Sequence, residues 1–173
     1  MSLHIIIDGY NLIRKSNMLS SIDHQDIQMG REALIDILAS YKKIKSHKIT
    51  VVFDGVTSPS FLQRDNTKGI EIKFSHSGES ADTVIKRMTS REKEKALVVS
   101  SDKDVVNFAS AQGSSTISST EFEEKMKMAA YMNTKGSIKN EEESGWIPTT
   151  KKKGPSRRLS KKDRKSRIKI QKL

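Results

Sequence analysis

Apolar positions along the chain alternate between short continuous runs and helical spacing. Runs of apolar and β-branched residues predict buried strands, and a run that ends in Asp-Gly or Ser-Asp indicates a strand that exits into a turn. Apolar residues at three- and four-residue spacing predict amphipathic helices. The predicted strands cover residues 3–7, 48–53, 70–74, 96–99 and 115–118, and the predicted helices cover residues 26–45, 80–94, 103–111 and 120–132.

The order of these elements predicts an α/β fold with a mainly parallel central sheet. Strands alternate with helices, and three strands are continuously apolar, as in sheets that helices cover on both faces. Right-handed crossovers then bring the carboxyl ends of the strands to one edge, where ligands bind in such folds. Ser80 and Thr120 are predicted helix caps. Gly9 and Gly55 are expected to allow tight turns and to leave space for a phosphate.

Four aspartates fall where this fold would gather them at that edge. Asp8, Asp54 and Asp102 each follow a predicted strand, and Asp82 lies in the first turn of a predicted helix. Each one alone is explained as a turn residue or a helix cap, so only the set points to a site. Clustered carboxylates need a cation or protons, and Mg²⁺ and Mn²⁺ prefer oxygen ligands. A metal held there would activate water for hydrolysis of a phosphodiester.

The same positions carry motifs that resemble those of a known family. Asp8-Gly9-Tyr10-Asn11, Val52-Phe53-Asp54-Gly55, Glu79-Ser80-Ala81-Asp82 and Ser100-Ser101-Asp102 are similar, in order, to the motifs of the YacP-like branch of the NYN-domain nucleases, within the PIN-like superfamily. The stretch Gly30-Arg31-Glu32-Ala33-Leu34 is also similar to that branch, and the likeness covers roughly residues 3–132.

This resemblance implies a PIN-like fold and a chemistry. The implied fold is a three-layer α/β/α sandwich, and the implied activity is that of an endoribonuclease that cuts RNA (mRNA, rRNA or tRNA) with the help of Mg²⁺ or Mn²⁺. The resemblance implies catalytic acids at Asp8, Asp54, Asp82 and Asp102, metal ligands at Asp8, Asp82 and Asp102, and supporting residues at Asn11 and Ser101.

The net charge of the chain comes from its last segment. Residues 1–150 contain 20 Lys and Arg against 20 Asp and Glu, whereas residues 151–173 contain 12 against one, which accounts for the net charge of +11. Such blocks stay solvated and commonly contact nucleic acid. We expect a nuclease domain over residues 1–134, a linker over 135–150 and a disordered basic tail over 151–173, whose end from Ser160 onwards folds as a helix on binding RNA or the ribosome. The predicted RNA-binding residues are Lys151, Lys152, Lys153, Arg157, Arg158, Lys161, Lys162, Arg164, Lys165 and Arg167.

The amino-acid composition excludes several classes of protein and of metal site. The chain contains no cysteine, which excludes disulfide scaffolds and thiolate metal sites, and its apolar runs are too short to span a membrane. A cytoplasmic protein is therefore expected. A Toprim-like or phosphatase-like metal enzyme and a receiver-type signalling domain are disfavoured, because each requires different acids after the first strand. The alternative that stays open is a non-catalytic RNA-binding or ribosome-associated module, in which the four carboxylates are structural.

Overall fold

The structure, a computed structural model, describes residues 3–55, 66–76, 78–136 and 160–173. The described chain forms six strands, seven α-helices and a 3₁₀ turn, Lys93–Lys95. None of these helices is both long and apolar enough to cross a membrane. The strands are β1 (His4–Asp8), β2 (Lys48–Phe53), β3 (Asn66–Thr67), β4 (Ile70–Phe74), β5 (Ala96–Val99) and β6 (Ser115–Ile117). The helices are α1 (Gly9–Lys15), α2 (Asn17–Gln25), α3 (Ile27–Ile44), α4 (Ala81–Glu92), α5 (Lys103–Ala111), α6 (Ser119–Gly136) and α7 (Lys161–Gln171).

One six-stranded sheet in the order β3-β4-β2-β1-β5-β6 forms the centre of the molecule. Every neighbouring pair of strands is parallel except β3 with β4, which is antiparallel. Asp8 at the end of β1 lies opposite Val52 of β2, and Ile7 lies opposite Val99 of β5. The carboxyl ends of β1, β2 and β5 therefore meet at one edge, which confirms the predicted mainly parallel sheet.

Alternate residues of each strand point to opposite faces of the sheet, and helices cover both faces. Ile5 and Ile7 of β1 pack in a core with α1, α2, α3 and α6, whereas Ile6 packs in a second core with α4 and α5. All three side chains are fully buried. The molecule is thus a three-layer α/β/α sandwich, as the PIN-like resemblance implies.

Helices α1 and α2 have no counterpart among the predicted elements. Helix α1 begins with Gly9-Tyr10-Asn11, a sequence of modest helix propensity, and has seven residues. Helices this short are marginal in isolation and owe their stability to tertiary packing. Leu12 and Ile13 of α1 and Leu19 of α2 are buried in the larger core. The Asp-Gly pair at the end of β1 therefore leads into a helix because the core covers that helix, and not because the local sequence favours one.

Helix α6 extends beyond both of its predicted limits. The Ser118 hydroxyl accepts a hydrogen bond from the Glu121 amide at 3.2 Å, so this N-terminal cap lies two residues before the predicted cap, Thr120. The helix continues to Gly136, past the predicted helix end at residue 132 and the predicted domain limit at residue 134. Helix ends vary by a residue or two with their local caps, and the domain limits themselves stay a prediction.

The end of the basic tail is a helix that docks on the domain. The Tyr41 hydroxyl donates a hydrogen bond to the Leu173 carbonyl at 2.9 Å. Leu173 is buried in the larger core, and Ile170 packs beside it. The expected disorder of the tail is therefore wrong for α7, because two apolar side chains spaced three residues apart anchor this otherwise charged segment. The rest of the predicted linker, from residue 137 onwards, and residues 151–159 lie outside the described residues.

Candidate active site

The four predicted aspartates line one pocket at the carboxyl edge of the sheet. Asp8 ends β1, Asp54 follows β2, Asp82 lies in the first turn of α4, and Asp102 immediately precedes α5. The pocket that they share has a volume of about 300 Å³. The four acids come from four separate segments of the chain. They lie close together only in the folded protein, at the edge where the sequence predicts them. The catalytic and metal-binding roles of these residues stay predictions.

Asp8 is a buried acid, with 8% of its surface exposed. Its Oδ1 atom accepts a hydrogen bond from the Asn11 amide at 3.1 Å, and its Oδ2 atom accepts one from the Ser100 hydroxyl at 3.2 Å. Burial is the main cause that raises the pKa of Asp8 to about 6, the charges of Asp82 and Asp54 contribute to this rise, and the two hydrogen bonds oppose it. The ionised form of Asp8 therefore costs free energy in the folded protein unless a cation offsets its charge.

Asp54 connects the end of β2 to the start of α4. Its Oδ1 atom accepts a hydrogen bond from the Ala81 amide at 2.7 Å and a longer one from the Ser75 hydroxyl at 3.5 Å. The Ser75 hydroxyl also accepts a hydrogen bond from the Gly55 amide at 2.9 Å. The carboxylate thus caps the helix that carries Asp82 and fixes one acid relative to another.

The two glycines that follow the strand-end acids are required by close packing. A Cβ atom added to Gly9 would lie 2.3 Å from the Phe53 ring, and one added to Gly55 would lie 1.9 Å from the Ser75 carbonyl oxygen. Neither glycine has a positive φ. The expectation that they serve tight turns and leave space for a phosphate is therefore replaced by a different reason, namely that a neighbouring ring or backbone fills the space of a side chain.

Asp82 and Asp102 lie at the starts of α4 and α5. Asp102 Oδ1 accepts hydrogen bonds from the Asp104 amide at 2.7 Å and the Val105 amide at 3.3 Å, so Asp102 caps α5 while it lines the pocket. Burial raises the pKa of Asp82, the charge of Asp102 raises it further, and Lys86 opposes this effect. The acids of the pocket therefore interact electrostatically, as members of one site would.

Asn11 joins three segments of the chain behind these acids. Its Oδ1 atom accepts hydrogen bonds from the Ser101 amide at 2.9 Å and from the Ser119 hydroxyl at 2.7 Å. The Ser101 hydroxyl in turn accepts a hydrogen bond from the Ser119 amide at 3.2 Å. The start of α1, the end of β5 and the start of α6 are thereby held together. The structure places Asn11 and Ser101 in direct contact, and Ser119 is a third member that no sequence motif indicated.

Three further residues of the site were not among the predicted ones. The Ser100 hydroxyl donates to Asp8 and accepts a hydrogen bond from the Asp102 amide at 3.1 Å, so it links two of the acids. Arg14 and Lys15 line the pocket from the last turn of α1. The serine pair after β5 could have identified Ser100. The two cations could not be found from the sequence, because their position depends on α1, which local signals do not predict.

The donor set of the pocket fits a hard divalent cation. Among the described residues, no group of three or more His, Cys, Asp or Glu is arranged to hold a metal ion as it stands. Mg²⁺ keeps several water ligands and commonly takes only one or two carboxylates directly, so a loose set of acids suffices. Four carboxylates supply oxygen donors here, and the raised pKa of Asp8 and of Asp82 shows the electrostatic cost that a cation would relieve.

The tail helix lies at the opposite edge of the sheet from the acids. Lys165 pairs with the Glu94 carboxylate at 2.9 Å, and Lys169 donates to the Glu94 carbonyl. His47 donates a hydrogen bond to the Lys172 carbonyl at 3.3 Å. Glu94 lies just before β5 and His47 just before β2, so both lie where the parallel strands begin. The acids lie where these strands end. The length of a strand, at about 3.3 Å per residue, therefore separates α7 from the pocket.

Five of the predicted RNA-binding residues fall within α7. Lys165 is committed to Glu94 and faces the domain. Lys161, Arg164 and Arg167 are exposed, and of Lys162 only the backbone is described. The RNA-binding role of all ten residues stays a prediction, and five of them lie outside the described residues, namely Lys151, Lys152, Lys153, Arg157 and Arg158.

Comparison with known proteins identifies the family. A model of the YacP-like NYN domain matches residues 5–172. The chain belongs to the YacP-like NYN family. The uncharacterized protein YacP of Bacillus subtilis (strain 168) is 25% identical over 84 residues, which cover 49% of this chain and 49% of that protein. This match therefore spans about half the length of the curated relative.

Solved structures show a similar fold. The crystal structure of Rae1 (YacP) from Bacillus subtilis has a TM-score of 0.67 and 22% identity to this chain, and the likeness covers 80% of this chain and 81% of that one. A crystal structure of a tryptophan-to-leucine mutant of the same protein gives the same TM-score and identity, with 83% of its chain covered. YacP-like NYN domains are nuclease-type domains, and the family match extends through the end of α7, well past the motifs between residues 3 and 132.

Proposed function

We propose that this YacP-like NYN protein is a metal-dependent endoribonuclease, which hydrolyses phosphodiester bonds within RNA. The observation that supports the proposal is the convergence of Asp8, Asp54, Asp82 and Asp102 on one pocket, in a family of nuclease-type domains. Because the chain has no cysteine and a strongly basic tail, a cytoplasmic location with mRNA, rRNA or tRNA as substrate goes with this proposal.

The acids have different tasks in this scheme. Asp8, Asp82 and Asp102 would hold Mg²⁺ or Mn²⁺, which when bound supplies an activated water and offsets the charge that builds on the phosphate. Asp54 is a positioning residue, because the hydrogen bond from the Ala81 amide occupies its Oδ1 atom and keeps the start of α4 in place. The pKa of Asp8, about 6, leaves its carboxylate mostly ionised at neutral pH and available to a cation.

Arg14 and Lys15 provide the positive charge that RNA requires at an acidic pocket. Both side chains are exposed and line the same cavity as the four carboxylates. Cationic side chains bind phosphate oxygens through charge-assisted hydrogen bonds. We assign them to the phosphates that flank the cleaved bond, where they offset the repulsion between the RNA backbone and the acids.

The basic tail engages a different part of the RNA in this proposal. Because α7 lies at the edge where the strands begin, its exposed cations cannot contact the phosphate that lies among the acids. A long or structured RNA, or an RNA surface of the ribosome, reaches both edges of the domain. The tail thus supports binding of large substrates, mainly through phosphate charge and with a strong dependence on salt.

The test is cleavage of labelled single-stranded RNA by the purified full chain, with Mg²⁺, with Mn²⁺ and with a chelator. Asp8→Asn removes one acid of the pocket while its shape is kept. Asp104→Asn is the matched control, because Asp104 is an exposed acid on α5 that pairs with Lys86 and does not line the pocket. We expect internal cleavage that requires metal, persists in Asp104→Asn and disappears in Asp8→Asn.

Two other outcomes would redirect the proposal. Cleavage that survives the chelator and the Asp8→Asn substitution would place the activity outside this pocket. Salt-dependent binding of RNA without cleavage by any of the proteins, on free RNA and on ribosomes, would identify the chain as a non-catalytic RNA-binding module with structural carboxylates.

A further inference from the structure

Arg31 is a buried cation without an acidic partner among the described residues. Only 2% of its surface is exposed. Its Nε atom donates to the Tyr10 hydroxyl at 2.7 Å, and its Nη2 atom donates to the same oxygen. Its Nη1 atom has no hydrogen-bond partner, and none of the ion pairs between described residues includes its guanidinium group. Buried charges and buried donors are normally satisfied, so this arrangement calls for an explanation.

Three aromatic rings surround this guanidinium group. Its Cζ atom lies 5.4 Å from the centroid of Tyr10, 5.7 Å from that of Phe53 and 5.5 Å from that of Phe74. Cation–π contacts attract the charge and hold the guanidinium plane, but they do not accept a hydrogen bond from Nη1 in its own plane. The cation is therefore well positioned and still has donor capacity left.

A cavity of about 390 Å³ lies against Arg31, Phe53 and Phe74. This volume falls in the usual range of small-molecule sites, about 300–1,000 Å³. The cavity neighbours the acid pocket, because Tyr10 lines that pocket and its ring contacts the Phe53 ring with 5.2 Å between centroids. An RNA strand with its phosphate among the acids would thus bring an adjacent nucleotide to this second cavity.

The remaining wall of the cavity carries hydrogen-bond acceptors. Glu32 and Asp36 line it together with Gln28. Gln28 donates to Glu32 at 2.8 Å, and Lys68 pairs with Asp36, but a carboxylate has room for several donors at once. These acids disfavour a phosphate in the cavity, while the aromatic wall favours a flat ring. The cavity therefore suits a nucleobase that accepts hydrogen bonds on one edge and donates them on another.

We propose that this cavity is a guanine-binding subsite for a nucleotide next to the cleaved bond, an inference that rests on the proposed function. Guanine offers O6 and N7 as acceptors, which Arg commonly contacts as a pair. It also carries N–H donors at N1 and N2, which match the Glu32 carboxylate. Adenine lacks the O6 acceptor, and inosine keeps O6 and N7 but lacks the N2 amine. The Nη1 atom of Arg31 is itself closed to solvent, so the side chains around it must shift for guanine to reach it, and the unpartnered atom then gains an acceptor.

The first measurement is the specificity of cleavage on short RNAs in which one guanosine moves through a uridine sequence. We expect a preference of about tenfold or more in kcat/KM for guanosine over adenosine at one fixed position from the cut. Arg31→Lys keeps the charge without the paired donors, and it should bring the guanosine-to-adenosine ratio towards one. Glu32→Gln changes an exposed residue on α3, so the fold is retained, and it should remove the preference for guanosine over inosine.

Ratios of kcat/KM separate specificity from a merely structural role. If the only role of Arg31 were to support Tyr10, Arg31→Lys would lose activity on both substrates equally. The ratio of kcat/KM for guanosine to that for adenosine would then match that of the wild type. That result, or a wild-type ratio near one at every position, would overturn the guanine subsite while the nuclease proposal stands.

Binding measurements keep the two proposals apart. The same RNAs, labelled with a fluorophore, are titrated with Asp8→Asn protein, and fluorescence anisotropy reports the affinity without any cleavage. Preference for guanosine in binding, together with no cleavage by the wild type, would support the subsite and refute the nuclease. Equal affinity for guanosine and adenosine RNAs would refute the subsite whatever the activity.

Discussion

Replacing Asp8 by asparagine removes a carboxylate whose charge the fold disfavours. Burial raises the pKa of Asp8 from 3.8 to about 6 in the native state. The native state therefore holds this proton more tightly than the unfolded state does. The stability that comes from the proton is complete below about pH 4 and is lost as the pH rises through about 6. Asparagine cannot ionise, and its amide oxygen still accepts the hydrogen bond that the Asn11 amide donates to Asp8.

The expected size of the effect follows from the two pKa values. The interval from 3.8 to about 6 corresponds to about 3 kcal/mol of unfolding free energy, at about 1.36 kcal/mol per pH unit. Titration is gradual, so about 1.4 kcal/mol of this is lost between about pH 5 and about pH 8. The free energy of unfolding of Asp8→Asn, relative to wild type, should therefore increase by about 1.4 kcal/mol over the same interval.

The assay is urea unfolding of both proteins at the two pH values, in the presence of a chelator so that no metal contributes. Asp104→Asn again serves as the control, because its carboxylate is largely exposed and pays no comparable burial cost. A stability difference between Asp8→Asn and wild type that stays constant with pH, or falls as the pH rises, would refute the reasoning that burial governs Asp8.

Adding Mg²⁺ extends the same experiment to the proposed cation. A ligand at about 100 times its Kd stabilises the native state by about 2.7 kcal/mol. Wild-type protein should gain this stability at about pH 8, where Asp8 is ionised, and Asp8→Asn should gain much less. Equal gains for the two proteins would mean that Asp8 does not contribute to cation binding.

Three further variants test how the site is built and where RNA binds. Gly55→Ala should lower the free energy of unfolding by about 1–3 kcal/mol, measured by urea unfolding, because its Cβ would lie 1.9 Å from a backbone oxygen. Asn11→Ala should cost about 1–3 kcal/mol in the same assay and reduce cleavage, because it leaves two donors without their acceptor. Combined Arg164→Glu and Arg167→Glu should weaken binding of long RNA more than that of short RNA, measured by anisotropy, because α7 lies away from the pocket.

A specific result would contradict each of these three predictions. Wild-type stability of Gly55→Ala would show that the approach of the Ser75 carbonyl is not tight. Wild-type stability of Asn11→Ala would exclude a contribution from the two hydrogen bonds that Asn11 accepts. An equal effect of the α7 charge reversal on short and long RNA would place the helix near the cleaved bond.

Much of the fold and the acids of the candidate site could be predicted from local patterns. Helix α5 has the predicted limits, and Asp26 and Ser80 cap α3 and α4, which begin beside these residues as predicted. Parallel topology follows from the alternation of strands and helices, and it alone brings Asp8 and Asp54 to one edge. These features are local, or depend only on chain order, so the sequence is sufficient to indicate them.

The tertiary structure decided what depends on contacts between distant segments. Helix α1 exists because the core covers it, and with it come Arg14 and Lys15 at the pocket. Helix α7 docks through Leu173 and Ile170 rather than remaining free, since these two apolar side chains give a charged segment an anchor. Arg31 lies on a helix of ordinary pattern, and only the packing of three aromatic rings from other elements makes it a buried cation with a free donor. Burial and hydrogen-bond satisfaction are properties of the surroundings, and a linear sequence does not specify the surroundings until the chain has folded.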